Sequence, residues 1–572
     1  MRQSILILLS IGTIVPVSHA QDPLAIPPII SGQVIDLDLQ HGTVEFFPGQ
    51  TTNTMGANGP LLGPTILLDK DQQVTINVTN SLGEATTLHW HGMHVAPEND
   101  GGPHTVIDAG TTWSPSFTVL DKASTHWYHP HLHMHTNEHV IKGIAGLIIV
   151  RDDEEAALSL PRTYGVDDLP LVVQTKEFDA DGQFVVGGAL DDRLMVNGTL
   201  DPFVPAPAQM VRMRLLNGAS ERSFNFGFSN DMPFNQIGTD GGLLTAPVQM
   251  TRLRLAPGER AEIVVDLSTL QGQSIHLVNY GSGIPNGIFG AAQPGMGPGQ
   301  SIPGYTQNPL NGSDTNILRI DVTAPTADPI TTLSAALTTH SPWPEASANI
   351  TRTFTFSPVN MGPTAIQGPF TINNMPFDMM MINFEVPFEN IEIWQLTNMS
   401  PIAHPFHVHD VQFYILDING APPPANMQGR KDVVLVPAGG GVVRFITRFE
   451  DHWSDDVPYM YHCHMLTHED DGMMGQFLVN APTDLGVDET DDDTVGMRLG
   501  PNPARSEVTI ELRDDQGTGQ ITITDALGRE VGTFRSMGDR ITIDVSGFAA
   551  GTYTVRYHSA ESSAAARFVK DR

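Results

Sequence analysis

The chain has 572 residues, of which 64 are acidic and 30 are basic, so its formal net charge is −34. This charge argues against nucleic acid as a partner, because nucleic-acid binding needs Lys and Arg to displace counterions. The 40% hydrophobic content is enough for packed cores, and the 54 Gly and 43 Pro residues favour a turn-rich, all-β protein. At roughly 150 residues per domain, the length predicts about four domains.

The N-terminus has the features of a secretory signal peptide over residues 1–20. Arg2 precedes an apolar run over residues 5–17, and residues 18–20 form a cleavage site that ends in Ala20. An uncleaved anchor is the alternative, but the run is short for a membrane span of about 18 apolar residues or more. No later stretch reaches that length. We therefore expect no transmembrane segment and a secreted or cell-surface protein exported through the periplasm.

A module is repeated three times along the chain. Alternating apolar residues of a strand-like segment end in an asparagine at three places, namely Asn80, Asn217 and Asn398. Nine residues beyond the first and third asparagines, a His-x-His pair begins, whereas the middle copy has Phe226 and Phe228 there. We place three β-sandwiches at 29–152, 160–324 and 348–481. The middle one contains His276 as an isolated histidine, with His340 just beyond it, and is predicted to be a spacer without metal ligands.

Four His-x-His pairs occur in the two outer modules. In a strand, residues i and i+2 point to the same face, so each pair presents two imidazoles together. The pairs are His89 and His91, His129 and His131, His407 and His409, and His462 and His464. A lone histidine is usually a core residue, but matched pairs at equivalent places in two repeats indicate eight metal ligands.

The chain has one cysteine, Cys463, which lies between the two histidines of the last pair. Its side chain points to the opposite face of the strand and can bind a second metal centre. His468 and Met473 follow it in the same segment, and His404 lies upstream, just before the third His-x-His pair. Two His, one Cys and a weak axial Met form the blue-copper set, whereas structural zinc sites usually bring several cysteines and no methionine.

The motifs HWHG, WYHPH, HPFHVH and HCHMLTHEDDGMM, which begin at residues 89, 127, 404 and 462, resemble the four copper motifs of the multicopper oxidases. This family includes laccases, bilirubin oxidases and periplasmic cuprous oxidases, and the resemblance covers roughly residues 30–481. It implies three cupredoxin-like domains and four copper ions per chain. It also implies the coupling of one-electron oxidation of a small reducing substrate to reduction of O2 to water.

The resemblance also implies individual roles. It gives type 1 copper to His404, Cys463, His468 and Met473, and type 2 copper to His89 and His407. One type 3 copper falls to His91, His129 and His462, and the other to His131, His409 and His464. It gives catalytic roles to His468, as the entry point for electrons, and to Cys463, as their route to the three-copper cluster. It also gives them to Asp100 and Glu469, as acids that supply protons. Simple charge compensation is the alternative for these two acids.

Two positions depart from the family pattern, which often has Gly where this chain has Met134 and Asp410. All ten histidines, the cysteine and the methionine are present, whereas copper-free relatives are expected to lack ligands. Several further candidates remain. His133 is a candidate to orient a ligand, His135 and His139 for a surface copper site, and Met375, Met379–Met381 and Met399 for Cu(I) entry. For these, ordinary surface, core or loop roles are the alternatives.

The chain ends in a separate unit. An acidic linker at 482–497 precedes a small β-sandwich at 498–572. Residues 501–503, 525–529, 551–553 and 568–570 resemble the C-terminal sorting domain of type IX secretion. The resemblance implies the export machinery as a partner, and an adhesive or spacer sandwich is the alternative.

Taken as a whole, the sequence predicts an exported, laccase-like multicopper oxidase. Phenols, pigments and metal ions remain open as the reducing substrate. A non-enzymatic copper-sequestering surface protein is the main alternative. A copper nitrite reductase is less favoured, because it does not need four His-x-His pairs.

Overall fold

A computed structural model describes residues 21–481 and 497–571, except 188–189, 298, 363, 513–517, 526–528, 539 and 560–562. The predicted signal peptide and nearly all of the predicted linker lie outside the described residues. Contacts divide the chain into two compact units, residues 1–481 and 482–572. Strands dominate both, which confirms the all-β prediction. Among the described residues, no helix has the length and apolar character needed to cross a membrane.

Two sheets form the first sandwich. Its strands are β2 (Ile29–Ser31), β3 (Val34–Phe47), β4 (Gln50–Ala57), β5 (Thr65–Asp69), β6 (Gln73–Asn80), β7 (His89–His91), β8 (Thr112–Trp113), β9 (Ser116–Thr118), β10 (Ser124–His129) and β11 (Gly146–Arg151), preceded by β1 (Asp22–Pro23). One sheet has the order β4-β3-β6-β8 with β9 beside β6, and the other has the order β2-β5-β11-β10-β7. Helix α1 (Thr136–Lys142) joins β10 to β11. The pairing of β7 with β10 places two His-x-His segments side by side.

The middle sandwich follows α2 (Asp153–Ala156). Its strands are β12 (Asp168–Lys176), β13 (Arg193–Val196), β14 (Thr199–Leu200), β15 (Pro202–Pro207), β16 (Met210–Asn217), β17 (Phe224–Phe228), β18 (Phe234–Thr239), β19 (Gly242–Met250), β20 (Leu253–Leu255), β21 (Arg260–Asp266), β22 (Ser274–Tyr280) and β23 (Asp314–Thr323). The sheets have the orders β14-β13-β12-β16-β21-β18-β19 and β1-β15-β23-β22-β17-β20. Phe226 and Phe228, which replace the histidines, are buried in the core between them.

The third sandwich repeats the arrangement of the first. Its strands are β24 (Ile350–Pro358), β25 (Phe370–Ile372), β26 (Phe384–Pro387), β27 (Ile391–Asn398), β28 (His404–Val408), β29 (Tyr414–Ile418), β30 (Val433–Val436), β31 (Gly441–Arg448), β32 (Ser454–Cys463) and β33 (Met474–Asn480). The sheets have the orders β25-β24-β27-β31-β29 and β26-β33-β32-β28-β30. Helix α3 (Leu466–Asp470) joins β32 to β33.

The second unit has its own core. Its strands are β34 (Met497–Gly500), β35 (Glu507–Leu512), β36 (Thr518–Asp525), β37 (Glu530–Met537), β38 (Arg540–Asp544), β39 (Gly551–His558) and β40 (Ser563–Lys570). The sheets have the orders β34-β35-β38 and β37-β36-β39-β40. Val508, Ile521, Val555 and Phe568 are buried between them.

Single 3-10 turns interrupt the loops of the first unit. They are Pro97–Asn99, Ser229–Asp231, Gly281–Gly283, Tyr305–Gln307, Glu345–Ser347, Ala365–Gln367 and Ala425–Met427.

The three repeated asparagines make equivalent hydrogen bonds in the three sandwiches. Nδ2 of Asn398 donates to the main-chain oxygens of Ile402 and Val436, and its Oδ1 accepts from the main-chain N–H of Ser400. Asn80 and Asn217 make the same kinds of contact. Oδ1 of each accepts from the main-chain N–H two residues later, and Nδ2 of each donates to two main-chain oxygens further along. All three side chains are fully buried. Each asparagine therefore fixes the loop that leads into the next strand, which carries histidines in the outer copies.

Candidate metal centre

The single cysteine lies at the centre of a buried group in the third sandwich. Sγ of Cys463 is 3.4 Å from Nδ1 of His404 and 3.7 Å from Nδ1 of His468. The two nitrogens are 3.2 Å apart. These three side chains, which we call the cysteine site, bring thiol and imidazole donors to one point. Such a mixed sulfur and nitrogen set suits copper.

Ser400 determines which nitrogen of His404 faces the cysteine. Its Oγ donates to the main-chain oxygen of Ile402 at 2.8 Å, so it accepts the hydrogen of Nε2 of His404 at 2.8 Å. Nδ1 of His404 then keeps its lone pair for a metal. Burial lowers the pKa of His404 well below its usual value and that of His468 to about 3. Both imidazoles are therefore neutral near neutral pH, as metal binding requires.

Met473 returns to the cysteine site because α3 reverses the chain. The main-chain N–H of Cys463 donates to the oxygen of Met473 at 3.0 Å, and the N–H of Met473 donates to the oxygen of His468 at 2.9 Å. The Met473 side chain is fully buried in the same hydrophobic core as the cysteine. Its role as an axial ligand stays a prediction.

Eight imidazoles form a second buried group, which we call the histidine cluster. They belong to His89, His91, His129, His131, His407, His409, His462 and His464, and all are at most 1% exposed. Strands β7 and β10 and the residues just beyond β10 supply four of them from the first sandwich. Strands β28 and β32 and the residues just beyond each supply four from the third. The structure thus brings all eight predicted imidazoles together between the outer sandwiches.

The structure corrects the grouping of the last pair. The sequence analysis placed His462 with His91 and His129, and His464 with His131 and His409. In the structure, Nε2 of His462 lies 3.1 Å from Nε2 of His131 and 3.3 Å from Nε2 of His409. Nε2 of His464 lies 3.1 Å from Nδ1 of His91. The i, i+2 spacing places both rings on one face, but the way two sandwiches meet decides which partner each ring faces.

In most rings of the histidine cluster, one nitrogen contacts an oxygen acceptor. We call this the outer nitrogen and the other ring nitrogen the inner one. The contacts are His89 Nδ1 with Asp100 O (2.9 Å), His407 Nδ1 with Asp432 O (2.8 Å), His129 Nδ1 with Pro130 O (2.8 Å), His409 Nδ1 with Asp100 Oδ2 (2.7 Å), His91 Nε2 with Asp432 Oδ1 (3.1 Å) and His462 Nδ1 with Cys463 O (3.2 Å). Carbonyl and ionised carboxylate oxygens can only accept, so each outer nitrogen carries the hydrogen. The inner nitrogens are left with lone pairs.

Whether these residues fit a metal depends on what the inner nitrogens contact. Nε2 of His89 and Nε2 of His407 are buried and have no hydrogen-bond partner among the described residues. Burial lowers the pKa of His131 to about 4 and that of His464 to about 3, so the rings do not satisfy one another by taking up protons near neutral pH. Buried acceptors without donors are costly, and bound cations would remove that cost. The cluster therefore fits copper, which imidazole ligands suit.

The two predicted acids contact different rings of the histidine cluster. Asp100 contacts His89 through its main-chain oxygen and His409 through Oδ2, while its Oδ1 is buried without a hydrogen-bond partner among the described residues. Oε1 of Glu469 is 3.3 Å from Nδ1 of His131. Burial acts to raise the pKa of Glu469, but the nearby imidazoles of His131 and His462 hold it well below its usual value. Their proposed role in proton supply stays a prediction.

The other histidine candidates lie outside these groups. The ring of His340 contacts the Tyr414 hydroxyl and the Leu243 main-chain oxygen. His139 is buried, with Nδ1 3.1 Å from Oγ1 of Thr86, whereas His135 is exposed, and the two ring centroids are 5.9 Å apart. Neither belongs to any cluster of three metal donors within the described part of the chain. The same holds for His133 and His276.

The methionine candidates are mostly exposed. Met380 is 91% exposed, and Met375, Met381 and Met399 are also at the surface. The main-chain oxygen of Met379 accepts a hydrogen bond from Nε2 of Gln476, which fixes the loop backbone. Cu(I) entry there stays a prediction.

Both departures from the family pattern occur where the backbone favours glycine. Met134 has φ of 68° and Asp410 has φ of 69°. This left-handed region is easy for glycine and unfavourable for other residues. The Asp410 side chain is buried beside the histidine cluster, and burial, with Asp451 and Asp100 nearby, raises its pKa well above the usual value.

Sequence reasoning missed Asp432 and Arg260. Asp432 lies just before β30 and contacts two rings of the histidine cluster, and Arg260 of the middle sandwich contacts Asp432. Neither belongs to the His-x-His repeat, so pattern matching had no signal for them. Their positions follow from the pairing of β30 with β28 and from the packing of the middle sandwich.

A cavity of about 400 Å³ opens beside His468. Its lining includes apolar side chains of Phe289, Ile302 and Ile366. It also includes three carboxyl groups, on Glu221, Asp470 and Asp471, and no Lys or Arg side chain lines it among the described residues. The half-buried His468 is thus the part of the cysteine site that a small molecule can approach.

Comparisons with known proteins agree with this geometry. Family models described as multicopper oxidase match residues 38–155 and 346–483, and one described as a secretion system C-terminal sorting domain matches residues 499–571. The multicopper oxidase Mco of Staphylococcus haemolyticus is 33% identical over 458 residues, covering 77% of this chain and 88% of that protein. The cell division protein FtsP of Escherichia coli is 30% identical over 469 residues, covering 80% and 93%. A laccase-like multicopper oxidase structure from Ochrobactrum sp. has a TM-score of 0.70 and 34% identity, covering 80% of this chain and all of that one.

Proposed function

The chain belongs to the multicopper oxidase family, and we propose that it is an exported oxidase that uses O2 as its electron acceptor. It oxidises a small reducing substrate one electron at a time and reduces O2 to water. Four copper ions are held by the cysteine site and the histidine cluster. The observation that carries this proposal is the continuity of residues 462–464, which place Cys463 in one site and both flanking imidazoles in the other.

The side chains divide the work between the two sites. When bound, copper supplies one-electron transfer at the cysteine site and O2 reduction at the histidine cluster. Cys463 joins the sites through its own main chain, so electrons need not cross solvent between them. His468 presents a half-buried edge to the cavity, where a substrate can dock. Asp100 and Glu469 lie against ring nitrogens of the cluster, where they can relay the protons that water formation consumes.

A role without oxidase activity is the main competitor, because relatives called cell division protein FtsP match over most of the chain. A copper-sequestering surface protein is a related alternative. The complete donor sets favour the oxidase. Oxygen uptake by copper-loaded protein with a reducing substrate separates these functions: the oxidase consumes O2, and Cys463→Ser stops it. A sequestering or assembly protein binds copper but consumes none, and that result would refute the proposal. Nitrite added without O2 tests for a nitrite reductase.

Burial raises the pKa values of Glu221 and Asp470 to about 7. Above that pH the carboxyl groups of the cavity beside His468 are charged, so they favour a neutral or cationic organic reductant over an anionic one. The relative from Ochrobactrum sp. has oxidase activity towards lignin model compounds and lignosulfonate, which supports testing organic reductants first. Matched cationic and anionic aromatic amines should differ in KM. Asp471→Asn should narrow that difference, whereas Asp456→Asn, an exposed acid outside the cavity lining, should leave it unchanged.

Export is the remaining part of the proposal. The match of residues 499–571 to a secretion sorting domain supports passage to the outside of the cell through a dedicated secretion machinery. Its test, by truncation, is given in the Discussion.

A further inference from the structure

Asp432 contacts two rings of the histidine cluster that come from different sandwiches. Its main-chain oxygen accepts from Nδ1 of His407 at 2.8 Å, and Oδ1 of its carboxylate accepts from Nε2 of His91 at 3.1 Å. The two rings stack with centroids 3.7 Å apart. Asp432 is fully buried. One residue therefore fixes which nitrogen of each ring is free to face a metal.

Arg260, at the start of β21 in the middle sandwich, holds the Asp432 carboxylate. Its Nη1 donates to Oδ1 at 2.6 Å, and its Nη2 donates to Oδ2 at 2.5 Å. The guanidinium is fixed in turn, because Nε donates to the main-chain oxygen of Thr125 at 3.1 Å. The main-chain N–H of Arg260 donates to Asp240, which also pairs with Lys431. Two parallel bonds from a buried guanidinium fix the orientation of the carboxylate.

Two glycines show that the surrounding backbone is shaped around these contacts. A Cβ on Gly92 would lie 2.3 Å from Oδ2 of Asp432 and 2.6 Å from Nη2 of Arg260, and the residue has φ of 86°. The last residue of the HWHG motif thus leaves space for the ion pair. A Cβ on Gly258 would lie 2.9 Å from the ring of His464. The middle sandwich therefore approaches the histidine cluster directly at Gly258 and through Asp432 at Arg260.

From these contacts we propose that Arg260 is a positioning residue of the middle sandwich that organises the histidine cluster through Asp432. The proposal rests on the proposed copper-binding role of the cluster. Without Arg260, the buried carboxylate loses both of its paired donors and turns away from its present position. Nε2 of His91 then loses its fixed acceptor, and Nδ1 no longer presents a lone pair reliably. Loss of such an outer contact typically lowers metal affinity about 10- to 100-fold.

The test compares copper affinity at the two sites in the full-length, copper-loaded protein. Arg260→Gln and Asp432→Asn should each lower copper affinity of the histidine cluster about 10- to 100-fold while the blue colour of the cysteine site remains. The copper affinity of the histidine cluster in the double variant should be no lower than in the weaker-binding single variant, because the two residues act as one unit. The copper affinity of Arg260→Lys should lie between that of the unaltered protein and that of Arg260→Gln, since an ammonium keeps the charge but loses the paired geometry. Chelator titration with separate optical and paramagnetic-resonance signals gives the affinities without measuring turnover.

A buried arginine elsewhere controls for general damage. Arg212 pairs with Glu155 and Glu262 in the middle sandwich and contacts no ring of the histidine cluster. Arg212→Gln should lower the melting temperature but leave copper affinity unchanged. Unchanged cluster affinity in Arg260→Gln would overturn the proposal, and so would equal loss at both copper sites. If the unaltered protein takes up no copper in the cluster, the proposed function itself fails instead.

Discussion

Oδ2 of Asp100 in the first sandwich accepts a hydrogen bond from Nδ1 of His409 in the third, at 2.7 Å. The same residue accepts from Nδ1 of His89 through its main-chain oxygen. One acid thus joins the two outer sandwiches at the histidine cluster. Its Oδ1 is buried 3.3 Å from Nδ1 of His89 and accepts no hydrogen bond among the described residues.

Asp100→Asn tests proton supply. Asparagine keeps the main-chain contact and a side-chain acceptor but cannot exchange a proton, so we expect copper content to persist while kcat falls about 100-fold. Oxygen uptake and elemental analysis measure the two quantities. Asp108→Asn, at an exposed acid on the same loop, is the control and should match the unaltered protein. Full activity in Asp100→Asn would leave the acid with only a charge-balancing role.

Cys463→Ser tests the cysteine site. The hydroxyl is a poor replacement for a thiolate, so the variant should lose the blue colour, oxidase activity and one copper ion per chain. The histidine cluster should keep its copper, because none of its eight ligands changes. Visible absorption and copper analysis decide the result. A blue, active variant would remove Cys463 from the site.

Met473→Leu tests the axial position. Leucine fills similar space without a sulfur, so the site should stay blue while its reduction potential rises. Met474→Leu, at the next residue in the chain, is the matched control and should leave the potential unchanged. Redox titration followed by the blue band measures both. A lowered potential in Met473→Leu would count against axial coordination.

The sequence was sufficient to predict the all-β fold and the paired histidines that the structure brings together, since both depend on local periodicity. Alternation at Val74, Ile76 and Val78 appears as alternating burial in β6, and the i, i+2 spacing brought all eight imidazoles together. The grouping of His462 and His464 was wrong because it depends on contacts between sandwiches. No short pattern contains that information.

The middle sandwich shows the same limit. It has Phe226 and Phe228 in place of a His-x-His pair, but Arg260 still acts on the histidine cluster through Asp432. Arg260 and Asp432 are 172 residues apart in sequence. Their contact depends on how β21 packs against the loop before β30, so a single sequence could not predict it.

Glu221 provides a test of pH dependence. Burial raises the pKa of Glu221 from its ordinary value of 4.5 to about 7. Between these values the unfolded chain has released a proton that the folded chain keeps, so this group's contribution to stability falls as pH rises through that window. Glu221→Gln removes this loss of stability at high pH. It should melt at a higher temperature than the unaltered protein at about pH 8 and equally near pH 4.

Melting curves at both pH values measure this difference. Glu389→Gln, at an exposed acid, should show no such dependence on pH. If Glu221→Gln is destabilised at about pH 8, the carboxylate has a stabilising partner and the argument from burial fails.

The C-terminal unit provides the last test. Its strands form two sheets around their own core, and contacts separate it from residues 1–481. It contains one histidine and no cysteine, so it has no copper ligand set. The preceding acidic segment, predicted from sequence to be extended, should be accessible to a protease. We therefore expect a chain ending near Asp488 to keep its copper, melting temperature and oxidase activity, but to accumulate inside the outer membrane. Copper analysis, melting curves and cell fractionation of both forms measure these properties. Normal export of the shortened chain would refute the sorting role, and loss of copper would show that the first unit depends on the second.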